Sequence, residues 1–441
     1  MQSAARRLKL LGAAVCLALA GGCGGGSISP PPGGPPFKLT DFSAPETCQP
    51  CHPVHYAEWS SSMHAYSFKD PLFFAMNFAE HERTNGALAQ FCIGCHSPIG
   101  TLTGTTPDGV FDPESMPDQV RAGISCDLCH SIVEATLGAT EAGTPLALRP
   151  GNTKFGPLPA LQGDNFHRTE QLVELYENST VCRACHNLTV RGIEVEETFD
   201  EWENSIYASR PDHCQECHMP SYRGQAAVGG EERDVHRHWF TGVDITLTES
   251  FPDGGNRARV EDQLQNSASL AVAALDTVTA GDTLQVTVTV TNDRTGHSLP
   301  SGTSFSRQMW IEIIATTADN DTIYVSGDLD ANQDLRDADS EIDPNGDPDL
   351  MNFTTVLEGG DDVTVFTATG IQDRLIPAGD SRSATYRVGV PAGAAGPVHV
   401  AVRLRFRPFP PFKARRLGHE DLVERIPIFE MAAAARDVAL R

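Results

Sequence analysis

The chain has 441 residues, enough for two or three domains, and sets 33 Lys and Arg against 58 Asp and Glu for a formal net charge of −25 at pH 7. A field of that sign repels nucleic acid and favours basic partners. The informative part of the composition is its 12 cysteines and 15 histidines.

The N-terminus places Arg6, Arg7 and Lys9 ahead of an apolar segment from Leu10 to Ala20 and then Gly21-Gly22-Cys23. That order reads as a secretory signal over residues 1–22. The small residues before Cys23 resemble a bacterial lipoprotein cleavage box, in which Cys23 becomes the lipidated first residue of the mature chain. Ala20 stands where that box usually has leucine, and an ordinary signal peptide or an uncleaved anchor is the alternative. The apolar run is too short for a comfortable transmembrane helix, and no other segment suits one. Residues 23–38, almost entirely Gly, Pro and Ser, read as a disordered tether.

Five pentapeptides follow: Cys48-Gln-Pro-Cys51-His52, Cys92-Ile-Gly-Cys95-His96, Cys126-Asp-Leu-Cys129-His130, Cys182-Arg-Ala-Cys185-His186 and Cys214-Gln-Glu-Cys217-His218. CxxCH is the attachment pattern of c-type haem: two thiols form thioethers with the porphyrin vinyl groups, and the adjacent histidine reaches the iron. Zinc knuckles need no histidine directly after CxxC, so five such repeats favour haem. These motifs use ten cysteines and leave only Cys16 and Cys23, so no pair remains for an ordinary disulfide.

Residues 39–259 carry all five motifs, with long irregular connections such as Leu137–Leu161. Haem faces replace side-chain core there, so regular structure is expected to be sparse, with short helices around each motif. Within this half Glu58-Trp59-Ser-Ser-Ser62-Met-His64 and Glu201-Trp202-Glu-Asn-Ser205-Ile-Tyr207 form a partial internal repeat. It ends in a candidate iron ligand in the first copy and in tyrosine, for packing or a propionate bond, in the second. The tryptophans read as haem-packing groups. Beyond Arg259 the runs Ser267–Ala273, Thr283–Asn292, Trp310–Ala318, Asp362–Thr369 and Val398–Arg407 are β-rich and separated by Gly, Pro, Asn and Asp. That spacing predicts an antiparallel sandwich over residues 260–441. The expected fold is a mainly α and irregular multihaem cytochrome c domain followed by an all-β sandwich.

What fills the sixth iron position separates a carrier from a catalyst. Of ten remaining histidines, His64, His167, His236, His238 and His297 have the most suggestive contexts. His55, His81, His213, His399 and His419 read as surface or packing residues. Met219 directly follows His218 and cannot serve the haem of its own motif.

The run from Cys48 through Glu58-Trp59 to His64-Ala65 resembles the opening of the multihaem cytochromes c related to cytochrome c-554. The resemblance implies that His64 is a distal ligand. Phe166-His167, Cys214-Gln-Glu-Cys-His-Met-Pro220 and His236-Arg-His238-Trp-Phe-Thr-Gly242 extend it over residues 45–245. It leaves His236 and His238 as alternatives, of which His238 fits better. A related exported group carries a β-sandwich after its haem domain with a Gly-His-x-Leu-Pro-x-Gly loop, here Gly296-His297-Ser-Leu-Pro-Ser-Gly302. On this turn the histidine is expected to project outward and ligate a haem of the N-terminal domain. Tyr207 departs from the pattern, since it occupies a slot where histidine is familiar.

A weaker pattern, Asp328-x-Asp330-x-Asn332-x-Asp334, has the oxygen spacing of a calcium loop. Gln333 stands where an EF-hand needs glycine, and Asp339 where it has glutamate, which favours a solvated acidic loop. The sequence thus points to an exported, lipid-anchored pentahaem electron carrier, periplasmic or at the outer membrane. Its expected partners are other cytochromes and, through the anchor, the membrane. The alternative is an oxidoreductase acting on a small nitrogen or sulfur compound at one five-coordinate haem, although the CxxCK motif of nitrite-reducing pentahaem enzymes is absent.

Overall fold

The structure is a computed structural model that describes residues 36–88, 90–107, 111–140, 143–159, 166–360 and 363–441. The expected signal segment, Cys16, Cys23 and nearly all of the tether lie outside the described residues. Among those described, no helix is long and apolar enough to cross a membrane.

The N-terminal half is built from short pieces. Its longest helix, Pro71–Arg83, starts where the Asp70 carboxylate accepts the Leu72 N–H at 2.9 Å and Pro71 occupies the first turn. It buries Leu72, Phe73 and Phe74, the last two in an aromatic cluster with Phe42 and Phe68. Most other helices here span four to eight residues. Their brevity has a cause: one continuous cavity of about 2270 Å³ runs through this half and along its boundary with the strands, lined by every cysteine of the five motifs. Protein interiors are close-packed, so a space of this size is where prosthetic groups replace side chains as core.

The C-terminal half packs two sheets around one core, with a small hairpin sheet of Thr355–Glu358 and Gly370–Asp373 beside them. Ser269–Ala274, Thr283–Thr291 and Ser381–Gly389 form an antiparallel three-stranded sheet. Opposite it, Thr277–Val278, Phe429–Leu440, Val398–Arg407, Gln308–Thr316 and Thr322–Ser326 pair in that order, and Asn352–Phe353 also joins Gln308–Thr316. Alternation decides the faces. Leu284, Val286, Val288 and Val290 point inward and are at most 2 % exposed, while Thr287, Thr289 and Thr291 exchange hydroxyl bonds with Thr385, Ser383 and Ser381 outside. Val398, Val400, Val402 and Leu404 do the same from the second sheet, and one cluster joins both sets.

One sequence expectation is corrected here. Residues 363–369 form a turn, and the strand begins at Gly370, because Gly359 and Gly360 take positive φ and bend the chain first. The helix Asn256–Gln265 runs across the expected division at 259/260 and packs Val260 and Leu264 into the sandwich core.

The acidic loop also departs from a calcium site. Asp328 binds Arg336 at 3.0 Å, Asp334 binds Arg415 and the Phe412 N–H, and Asp330 accepts the Asn332 and Asp334 N–H groups and the Ser340 hydroxyl. These carboxylates are engaged by arginines, N–H groups and a hydroxyl, and among the described residues no three of them bring ligand atoms together.

The halves meet through an apolar patch, where Leu72 packs with Phe409, Ala414 and Leu422. Arg307 to Asp244 at 2.8 Å and Arg425 to Glu249 at 2.6 Å lie beside it. Since the Asp334 side chain is only 1 % exposed, Arg415→Ala leaves a buried carboxylate without its cation and should cost about 3–5 kcal/mol. Denaturant unfolding followed by hydrogen exchange of Val398–Arg407 should shift to lower denaturant, and millimolar calcium should not raise the wild-type midpoint. A wild-type midpoint that rises with calcium would reinstate the calcium loop.

Candidate functional site

Each CxxCH motif is one tight turn. In three of them the histidine N–H donates to the first cysteine's carbonyl at 2.9 Å, His52 to Cys48, His130 to Cys126 and His186 to Cys182. The other two lie inside the helices Phe91–His96 and Cys214–His218. One helical turn puts both sulfurs and the ring on the same side. None of the ten motif cysteines is paired in a disulfide. Their sulfurs also bring the motifs together: Cys48 lies against Cys126, Cys95 against Cys185 and Cys182 against Cys214.

Each histidine ring is fixed through Nδ1. His52 bonds the Ala226 carbonyl at 2.6 Å, His96 that of Ser67 at 2.9 Å, His130 that of Phe155 at 2.6 Å and His218 that of Thr241 at 2.5 Å. His186 bonds the Glu196 carboxylate at 3.3 Å. Occupying Nδ1 leaves Nε2 free toward the cavity.

Four of these rings face a second imidazole. Centroids are 6.2 Å apart for His52 and His167, 6.3 Å for His64 and His186, 6.4 Å for His130 and His238, and 6.3 Å for His218 and His297. A metal–imidazole bond is about 2.0–2.1 Å and the ring centre lies roughly 1.1 Å behind the nitrogen, so two imidazoles on opposite sides of one metal stand about 6.3 Å apart. The residues therefore fit c-type haem. His55 also lies 6.4 Å from His52, but it is three residues on in the same helix and so sits beside His52 rather than across from it. Its ring rests on His238 at 4.4 Å.

The structure separates the two alternatives left by the sequence. His238 faces His130, whereas the ring of His236 turns its Nδ1 to the Met219 carbonyl at 2.6 Å and faces no motif histidine among the described residues. The supply of histidines also falls short of five pairs: among the described residues no imidazole faces His96, and Phe73 stacks flat on its ring at 3.7 Å. His213 lies against Trp202, and His81 packs behind Gly86. His399 and His419 pair with Asp437 and Asp421 in the sandwich half.

The internal repeat is a clamp with two jaws. Trp59 donates to the Ile124 carbonyl, two residues before Cys126, at 2.7 Å, and Trp202 donates to the Asp212 carbonyl, two residues before Cys214, at 3.0 Å. Glu58 accepts the His238 N–H at 2.8 Å, and Glu201 accepts the Ser298 N–H, next to His297, at 3.1 Å. In each copy the tryptophan holds a CxxCH turn and the glutamate holds the segment of a facing histidine. Tyr207 packs with Trp202 against Gly296, where a Cβ would come within 3.4 Å of the Tyr207 ring, so the tyrosine backs the loop that carries His297. The sequence showed the repeat, but these carboxylates carried no sign of their acceptor role.

Burial disfavours the charged form of His64, His96, His130, His218 and His238, and a metal ligand must be uncharged. Burial lowers His64 to about 3, with His186 and His218 adding to the effect, and lowers His218 to about 4 despite the Thr241 carbonyl. His186 is the exception: burial opposes its charge, but Glu196 outweighs burial and raises it.

A model of the family described as "Cytochrome c554 and c-prime" matches residues 47–131. The penta-heme cytochrome c552 from Thermochromatium tepidum is similar in structure at TM-score 0.61 and 16% identity, over 91% of this chain and 100% of that one. A beta-glucosidase from Listeria innocua in complex with isofagomine matches 39% of the chain and 16% of its own at 11% identity; its TM-score of 0.15 carries no argument. No curated protein matches the sequence.

Glu201 also accepts the Ser301 hydroxyl at 2.6 Å, and each hydrogen bond to a charged acceptor is worth about 1.5–3 kcal/mol. Glu201→Ala should therefore speed amide hydrogen exchange across residues 296–302 by at least about tenfold. Unchanged protection in that loop would refute the clamp.

Proposed function

We propose that this multihaem cytochrome c is an exported electron carrier that holds five covalent haems, one per CxxCH motif, and passes electrons along them to and from other cytochromes. In this reading His52, His96, His130, His186 and His218 are the proximal ligands, with thioethers at Cys48 and Cys51, Cys92 and Cys95, Cys126 and Cys129, Cys182 and Cys185, and Cys214 and Cys217. His167, His64, His238 and His297 are the distal ligands. The observation that carries it is the four facing imidazole pairs at 6.2–6.4 Å. When bound, the haems supply one-electron exchange at iron; the chain sets the axial ligands, their hydrogen bonds and the exclusion of water. The side-chain interactions of Cys48 with Cys126, Cys95 with Cys185 and Cys182 with Cys214 support neighbouring centres close enough for hopping.

A second reading has one observation in its favour. Among the described residues no imidazole faces His96, which supports a five-coordinate iron there and turnover of a small nitrogen or sulfur compound. The tether and Cys23 support lipid anchoring to the periplasmic or outer membrane face, and the strand half supports a division into a haem domain over residues 39–259 and a sandwich over 260–441.

Mass spectrometry of the denatured mature protein should show five haem additions, and EPR of the oxidised protein should show four low-spin haems and one high-spin haem. His297→Ala should convert one further haem to high spin with total haem unchanged. Two or more high-spin haems in the wild type would sink the pairing, and five low-spin signals would exclude the second reading. Separately, Cys23→Ala should release the protein from membranes, since an acylated cysteine anchors through more than one chain. Retention of that variant on membranes would mean a different anchor.

A further inference from the structure

The five motif histidines are not held alike. Four give their Nδ1 proton to backbone carbonyls, and His186 alone among them gives it to a carboxylate, Glu196 Oε1 at 3.3 Å. Glu196 ends the strand Ile193–Glu196 and is itself sheltered, with its side chain 13 % exposed. Among the described residues no lysine or arginine stands within ion-pair distance of it, so its charge is directed at His186. The ring facing His186 is the opposite case: His64 Nδ1 is buried with no hydrogen-bond partner.

A carboxylate acceptor pulls the Nδ1 proton, makes the imidazole a stronger donor to iron and adds a negative charge near the metal. Each effect favours ferric over ferrous iron. The unpartnered His64 works the other way, but the loss of a neutral hydrogen bond weighs less than the presence of a charged one. We propose that Glu196 is a positioning residue that acts through His186 to make this haem the lowest in potential of the four centres with facing histidines.

The location gives that difference a use. The side chains of this motif interact with those of two neighbours, Cys185 with Cys95 and Cys182 with Cys214. An electron arriving from the His218 centre then meets an uphill step at His186. The step keeps the two centres from equilibrating freely and holds the junction oxidised while the His218 centre fills.

The inference rests on His64 and His186 being ligands of one iron. The test is a potentiometric titration of the full haem-loaded chain in which each low-spin EPR signal is followed separately. His64→Ala identifies the relevant signal by converting it to high spin; if every low-spin signal survives that change, the ligation is wrong and the proposal falls with it. In the wild type the identified signal should be the last low-spin haem to be reduced. In Glu196→Gln its ratio of oxidised to reduced form at fixed potential should drop about tenfold or more, about 59 mV for a one-electron couple. Glu196→Asp should restore most of the difference, with haem content and the other signals unchanged. An unmoved ratio in a fully haem-loaded Glu196→Gln overturns the proposal. Should that variant fail to mature, the wild-type order decides, and an identified signal that is not last to be reduced overturns it equally.

Discussion

An imidazole can serve a metal from only one nitrogen at a time, and the other nitrogen must be told where to point. That requirement organises the haem half of this protein more than any apolar contact does. His52, His96, His130 and His218 are each pinned by a carbonyl from a distant segment, and the segments are placed to supply those carbonyls. Ser67, Ala226 and Thr241 lie outside helices and strands, yet each carbonyl has a partner in one of these rings, and Phe155 offers its own from the short strand Thr153–Gly156. The hydrogen bond thus substitutes for secondary structure as the element that fixes geometry.

The sandwich half contributes in a different way. Its two sheets are self-sufficient, with a core that alternates inward Val and Leu against outward Thr and Ser. What it offers its neighbour is an edge loop, Gly296–Gly302, gripped by Glu201 and Thr198 from the haem half. A rigid scaffold of strands is a good mount for such a loop, because the loop can then be ordered without a core of its own.

Much of this was legible in the sequence. CxxCH fixes covalent chemistry by spacing alone, and Thr283–Asn292 and Val398–Arg407 are found as strands within a residue of where their alternation puts them. Other features escaped because they depend on distant partners. Nothing in Glu196 or Glu58 distinguishes it from other surface acids until the fold brings His186 or His238 beside it. The choice between His236 and His238 turns on which of two nearby rings meets His130, a matter of direction that periodicity does not carry. The acidic loop was ambiguous for the same reason, since Arg415 lies far from Asp334 in the chain.

The facing pairs have one more property, and it concerns the connectivity of the chain. His52 with His167, His64 with His186, His130 with His238 and His218 with His297 enclose four long loops, and each loop overlaps the next. Every peptide bond from His52 to His297 therefore lies inside at least one of them. Closing loops of this length costs little more entropy than closing shorter ones, but the overlaps interlock them like links. Of the four pairs only His218 and His297 crosses from the haem half to the strand half, so a group held between those two rings would tie the one half to the other.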